Sequence, residues 1–286
     1  VSRGEEKALR NPLDVALYIA CFPQLIAGPI VRYGTIAKEI HERTLSWDNF
    51  STGSMRFALG LSKKILVADS VAPVADAAFA AGPSLTTPDA WLGITAYTIQ
   101  IYFDFSGYSD MAIGIGRILG FHFPENFRRP YSSTTVTDFW RRWHISLSSW
   151  FRDYLYIPLG GSRGASASTY FNLFLVFIVT GIWHGADWTF LAWGLYHGSG
   201  LVIERITGLR NYVPASIAAQ ALSRLVCLFF IAMGWVLFRA EGLGDAGLYY
   251  QALFGLTAPD TALSAYIEID SQMWIALGAG LAACFL

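Results

Sequence analysis

The stretch TYFNLFLVFIVTGIW (169–183), HGAD (184–187), WTFLAWGLYHGSGLVI (188–203) decides the fold class. It lies within forty residues, Gly164 to Ile203, in which Asp187 is the only formal charge. One crossing of a bilayer needs about 20 apolar residues, so this run is either two spans or one long interrupted pair. In both readings HGAD falls at or near a break within the membrane. Four further stretches extend the pattern. Asp89 to Arg117 is apolar from Ala90 to Phe103 and carries Asp104 and Asp110 beyond it. Pro12 to Val31 contains Pro23, Gly28 and Pro29, which predict a re-entrant or kinked segment. Leu225 to Phe238 is a fourth candidate, and Met273 to Leu286 a fifth that stops at 14 residues. Together they predict an all-α, polytopic helical membrane protein with re-entrant or interfacial helices. Residues 1–286 read as one transmembrane domain. The chain opens on Val1 and stops inside an apolar run, as expected of a segment incomplete at both ends.

Composition agrees. The 286 residues are 54% hydrophobic before the 27 glycines are counted, where about 45–50% with glycine included is ordinary. Charged residues are 14%, against about 25% in a typical soluble domain. These values exclude disorder and fibrous repeats. Nucleic-acid binding requires an excess of basic charge, and here 20 Lys and Arg face 21 Asp and Glu. Cys21, Cys227 and Cys284 are scattered through apolar surroundings and read as buried small hydrophobes.

Basic residues mark one side of the bilayer. Six arginines (128, 129, 141, 142, 152, 163) and only two acids lie between Arg128 and Arg163, and six basic residues lie between Arg32 and Lys64, which predicts a cytoplasmic position for both. Within the first stretch, Thr137 or Asp138 could cap a helix. Phe139, Trp143, Leu147, Trp150, Phe151 and Tyr154 then recur at helical spacing, predicting one amphipathic helix that lies in the interface or dips into the protein.

The ionisable groups near these spans are the candidates for chemistry. His184 follows twenty uncharged residues, and an ionisable side chain at membrane depth is a functional candidate by default, set against a histidine merely hydrogen-bonded to a neighbouring helix. Asp187 could orient its imidazole or cap the next helix, and the cap is favoured. His197 lies about 220° further round a straight helix, so the two histidines should not share a pocket. His144 is either solvated at the interface or directed into a cavity. His41 reads as a surface residue and His122 as structural. Asp104 and Asp110 either line a polar path or pair with arginines such as Arg117. No metal-ligand spacing, H-E-x-x-H, G-x-S-x-G or phosphate loop appears.

FPQLIAGPIVRY (22–33), YFDFSGYSDMAIGIGRILGFHFPENFRRPY (102–131), FWRRWHISLSSWFRDYLYIPLGG (139–161) and GIWHGADWTFLAWGLYHG (181–198) together closely resemble the membrane-bound O-acyltransferase family, most nearly its bacterial alginate O-acetyltransferase branch. The resemblance covers Pro12 to Arg239 and is weaker beyond. It implies a longer parent protein with a central funnel or tunnel in a bacterial inner membrane. It implies that His184, of the W-H-G motif, is catalytic and that His144, of the R-W-H-x-S-L-S motif, sits near the tunnel. It also implies acetyl transfer from a cytoplasmic thioester, acetyl-CoA or an acyl carrier, to an extracytoplasmic polysaccharide through a periplasmic partner, with no tightly bound cofactor. Arg141, Arg142 and Arg152 suit the donor's phosphate, although positive-inside anchoring alone would explain them. The alternatives are D-alanyl or other acyl transfer to a cell-wall polymer, a transporter using Asp104, Asp110 and His184 as a relay, or a non-catalytic scaffold.

Overall fold

The computed structural model describes residues 11–21, 28–81, 84–257, 262–263 and 267–285; the FPQLIA part of the third candidate span lies outside them. Among the described residues the regular elements are helices without strands, as the apolar runs predict. α1 (Pro12–Ile19) begins at Asn11, whose side chain accepts from the Leu13 amide, and the short turns α2 (Tyr33–Ile36) and α3 (Glu39–Glu42) follow. α4 (Trp47–Ser62) is capped by Ser46 and runs through a widened π-helical turn, Lys63–Ala68, into α5 (Asp69–Ala81). Pro73 in α5 has no amide hydrogen for the carbonyl of Asp69, just past the widened turn.

α6 (Thr87–Ile118) is the axis of the molecule, 32 residues and so about 48 Å long at the usual rise. α4 and α5 lie along it. The contact with α4 depends on two glycines from each helix. A Cβ on Gly60 would stand 2.5 Å from the Gly107 carbonyl oxygen, and one on Gly53 would stand 2.7 Å from that of Gly114. Small residues at matching positions let two helix backbones approach closely. Charges on this pair of helices are matched as well. Asp110 accepts from Arg56 at 2.7 Å and Lys63 at 2.6 Å, and Asp104 from Lys64 at 2.7 Å. The expected pairing of these aspartates with basic residues is therefore present, but the partners come from the 47–68 segment and not from Arg117.

α7 (Val136–Arg142) and α8 (Ile145–Phe151), with a π-helical extension Arg152–Tyr156, replace the single amphipathic helix expected over 139–154. The break is at His144, which adopts left-handed backbone angles (φ 43, ψ 54). Apolar spacing cannot report such a break, because Phe139, Trp143, Leu147 and Phe151 are all buried on either side of it. The cap is also displaced: Thr135, not Thr137 or Asp138, accepts from the Asp138 amide. Glu204 holds the start of α7 from outside, accepting from the Val136 and Thr137 amides, the latter at 2.8 Å.

α9 (Ser166–His184) and α10 (Trp188–Thr207) are two helices separated by a break at HGAD. They run antiparallel, with Gly181 against the Phe190 carbonyl and Gly194 against that of Phe177. HGAD is the turn between them, so His184 ends α9 about 28 Å from its start. α11 (Ile217–Arg239) bridges this hairpin to α6, and α12 (Leu243–Leu253) and α13 (Ser271–Phe285) complete the packing around α6. α9 and α11 are each long and apolar enough to cross a membrane. Cys21, Cys227 and Cys284 are buried free thiols, as expected.

Candidate active site

The α6 axis, the broken α7–α8 segment, the α9–α10 hairpin and α11 leave a cavity of about 500 Å³ between them. His144 and His184, remote in sequence, both line it, with Asp104 and a largely aromatic wall that includes Trp140, Trp193 and Phe238. The cavity is therefore largely apolar, with Asp104, His144 and His184 as the ionisable groups of its described lining.

The break in the amphipathic segment places His144. Left-handed angles are costly for a residue other than glycine and persist where surrounding structure over-determines them, often at functional sites. Here Asn126 does so: its backbone carbonyl accepts from the Ile145 amide at 2.9 Å, and its Oδ1 accepts from the Ser146 amide at 3.2 Å and pairs with His144 Nδ1 at 3.1 Å. The ring stands edge-on to Phe105 with centroids 4.7 Å apart. His144 is 5% exposed, and its burial, with a smaller contribution from His184, pushes the imidazole pKa down to about 3. It is therefore neutral at physiological pH. His144 is thus the cavity-facing residue of the two expectations, not the solvated one.

His184 is held differently. It is half-buried and makes no hydrogen bond to the described residues. Its contacts are rings: Trp183 at 4.9 Å, Trp193 at 5.2 Å and Phe238 at 5.1 Å between centroids. Asp187 does not orient it. The Asp187 carboxylate accepts from the Thr189 amide at 2.9 Å and caps α10, which is the favoured reading of the two. His197 is fully buried, lies outside the cavity lining and packs against Trp140, Trp193 and Phe230, so the two hairpin histidines do not share a pocket. His122 bonds Glu39 at 2.7 Å in the structural role expected, and the surface residue His41 meets Asp14 at 3.2 Å.

The three candidate arginines are not brought together. Arg141 and Arg152 border a second cavity of about 360 Å³, walled by apolar residues such as Phe151, Val176 and Leu201. Arg205 and Arg210, from the end of α10 and the turn after it, complete its rim. Arg152 is partly neutralised by Asp153, whose carboxyl it holds below the usual carboxylate range with help from Arg32. Arg141, Arg205 and Arg210 meet no carboxylate among the described residues. Arg142 instead pairs with Asp138 and faces a separate groove with Arg56, Arg128, Arg129 and Asp110. Adjacent residues on a helix diverge by about 100°, a signal already in the sequence that Arg141 and Arg142 face different ways. Trp140 and Leu147 line both the arginine-rimmed cavity and the histidine cavity, and so form the wall between them. Asp110 borders the groove and not the histidine cavity, so it does not line that cavity with Asp104 and His184. Asn126, Arg205 and Arg210 were not among the residues singled out from sequence.

Comparison with known proteins identifies the family. The chain is 51% identical over 254 residues to the probable alginate O-acetylase AlgI of Azotobacter vinelandii, covering 89% of this chain and 50% of that protein. It is 42% identical over 252 residues to the peptidoglycan O-acetyltransferase of Helicobacter pylori, covering 87% and 48%. Against the teichoic acid D-alanyltransferase of Bacillus subtilis the identity is 28% over 252 residues, covering 80% and 62%. The chain thus spans about half the length of the first two relatives. Residues 2–243 match the family described as MBOAT, and with the identities above this carries the conclusion: the chain belongs to the membrane-bound O-acyltransferase family.

Proposed function

We propose that the protein is a polytopic O-acyltransferase of a bacterial inner membrane, which moves an acetyl group from a cytoplasmic thioester across the membrane for O-acetylation of an extracytoplasmic polysaccharide. The observation that carries this reading is the convergence of His144 and His184 on one largely apolar cavity. His184 accepts the proton of the acceptor hydroxyl as its oxygen attacks the thioester carbonyl. The C–S bond breaks, an ester forms, and the thiolate takes the proton from the imidazolium and leaves as a thiol. His144 orients the donor. Acetyl-CoA and a phosphopantetheine carrier both bear phosphate, and the rim of Arg141, Arg152, Arg205 and Arg210 supplies charge-assisted donors for it. The acyl arm then reaches the histidines past Trp140 and Leu147. Acetyl rather than D-alanyl transfer is favoured by the higher identity to the two O-acetylating relatives. A periplasmic partner completes delivery to the polymer.

The test is incubation of membranes holding the full-length protein with radiolabelled acetyl-CoA or acetyl-carrier, periplasmic extract, and alginate or peptidoglycan acceptors. Label in the ester fraction supports the reading; transfer of D-alanyl but not acetyl label selects the teichoic-acid-type alternative, and no transfer to any hydroxyl acceptor overturns both. In the same assay Arg141→Ala and Arg205→Ala should each raise the donor KM about tenfold, the scale of one hydrogen bond to a charged group, with a much smaller change in kcat. A change confined to kcat would remove the arginines from donor binding. Asp187→Asn keeps an equally good helix cap and should retain transfer within about twofold. A hundredfold fall would mean that the carboxylate serves His184.

A further inference from the structure

Asn126 is 1% exposed and lies in the loop after α6, and of the three groups its side chain meets besides His144 the Ser146 backbone amide determines its orientation. The Ser146 backbone amide, a donor under all conditions, points at Oδ1 from 3.2 Å, and Ser146 Oγ donates to the same oxygen at 2.8 Å. On the other side Asn126 Nδ2 donates to Ser109 Oγ at 3.0 Å. Turning the amide over would aim its NH2 group at a backbone N–H in a buried site, two donors face to face, each left unsatisfied. The group that faces His144 Nδ1 at 3.1 Å is therefore a carbonyl oxygen. An oxygen lone pair opposite a bare ring nitrogen would repel it, and the Ser146 hydroxyl, 3.5 Å from Nδ1, gives its hydrogen to Asn126 Oδ1 at the shorter distance of 2.8 Å, so Nδ1 carries a hydrogen. In a neutral imidazole the other nitrogen then has none.

We infer that Asn126 is a positioning residue that locks His144 in its Nδ1–H tautomer, leaving Nε2 as a hydrogen-bond acceptor directed into the histidine cavity. Nε2 is not sealed in protein and makes no hydrogen bond to the described residues, while the ring itself lines the cavity. This deepens the proposed function and rests on it for one consequence. A lone pair at Nε2 can receive an N–H or O–H hydrogen but cannot stabilise a developing oxyanion. His144 therefore acts on the donor by accepting a hydrogen bond, such as from an amide N–H of a pantetheine arm, and any oxyanion is stabilised elsewhere. His184, with no hydrogen bond to the described residues, has no comparable lock.

The experiment is 15N NMR of the full-length protein in lipid nanodiscs with 15N-histidine, the His144 signals assigned by their loss in His144→Gln. A protonated Nδ1 and a bare Nε2 are expected. A protonated Nε2, with or without Nδ1–H, overturns the inference and needs no substitution of Asn126 to do so. Acyl-transfer rates in two variants separate the lock from a merely structural role. Asn126→Asp keeps an acceptor oxygen opposite Nδ1, and the Ser109 hydroxyl can turn to donate to its second oxygen. Asn126→Leu removes the acceptor, and a ten- to hundredfold fall is expected, on the order seen when the partner that orients a functional histidine is lost. Tautomer locking makes Asp the milder change, and a structural role makes the buried charge the worse one, so transfer in Asp no better than in Leu also overturns the inference. His144→Gln with undiminished transfer would instead overturn the use of His144 in the reaction and leave the tautomer assignment standing.

Discussion

His184→Ala is expected to lower acyl transfer by about 10²- to 10⁴-fold, the usual contribution of a positioned general acid or base, while the protein still inserts and folds. The two effects separate because of how this side chain is held. Its imidazole gives no hydrogen bond to the described residues and packs against the rings of Trp183, Trp193 and Phe238, so its removal leaves no described buried polar partner unsatisfied. The ring borders an existing cavity, and truncation enlarges that space without opening a new void in the packed core. His184→Gln, closer in size, should be as inactive as the alanine variant, since an amide cannot take up a proton at neutral pH. Initial rates with labelled donor, normalised to inserted protein, provide the check; a loss of less than about threefold in both variants would leave His184 without a role in proton transfer.

Gly60→Leu should produce the largest loss of stability. At Gly60 a Cβ would already stand 2.5 Å from the Gly107 carbonyl oxygen and 2.8 Å from the Met111 amide nitrogen. Both obstacles are backbone, so neither can rotate away. α4 would have to move off α6, separating Asp110 from Arg56 and Lys63, which it now holds at 2.7 and 2.6 Å. Overpacking in a close-packed interior costs about 1–3 kcal/mol, and loss of the half-buried ion pairs adds to that. A fall in Tm of roughly 10 °C in detergent or nanodiscs is expected from about 3 kcal/mol in a protein of this size. Ser62→Leu, exposed on the same helix end, is the control and should melt within a few degrees of the unaltered protein. Equal melting of the two variants would mean that the α4–α6 contact contributes little.

The sequence is most informative where a local pattern determines the structure. The uncharged run through 169–203, with Asp187 ahead of Trp188, contains both helices of the hairpin and the cap between them. His184 could be picked out for the same reason, as an isolated ionisable group at the end of a long apolar stretch. The segment 47–81 was not legible as part of the helical core, because Arg56, Lys63, Lys64 and Asp69 make it look solvated. The carboxylates that neutralise its cations lie mainly on α6, and only the fold brings them close. The same limit hid the break at His144. Its apolar neighbours keep helical spacing across a residue whose backbone is left-handed, and the cause is an asparagine in a separate loop. The arginine rim failed for a different reason: proximity in sequence grouped Arg141 with Arg142, whereas space groups Arg141 with Arg205 and Arg210.

The most direct measurement uses sealed membrane vesicles with the basic face outward, labelled acetyl thioester outside, and a polysaccharide acceptor with periplasmic extract trapped within. The expected result is labelled ester in the lumen for the unaltered protein, falling to background with His184→Ala at equal insertion. Labelled ester that forms only when donor and acceptor share a side, or that forms equally well without His184, would contradict transfer through the histidine cavity.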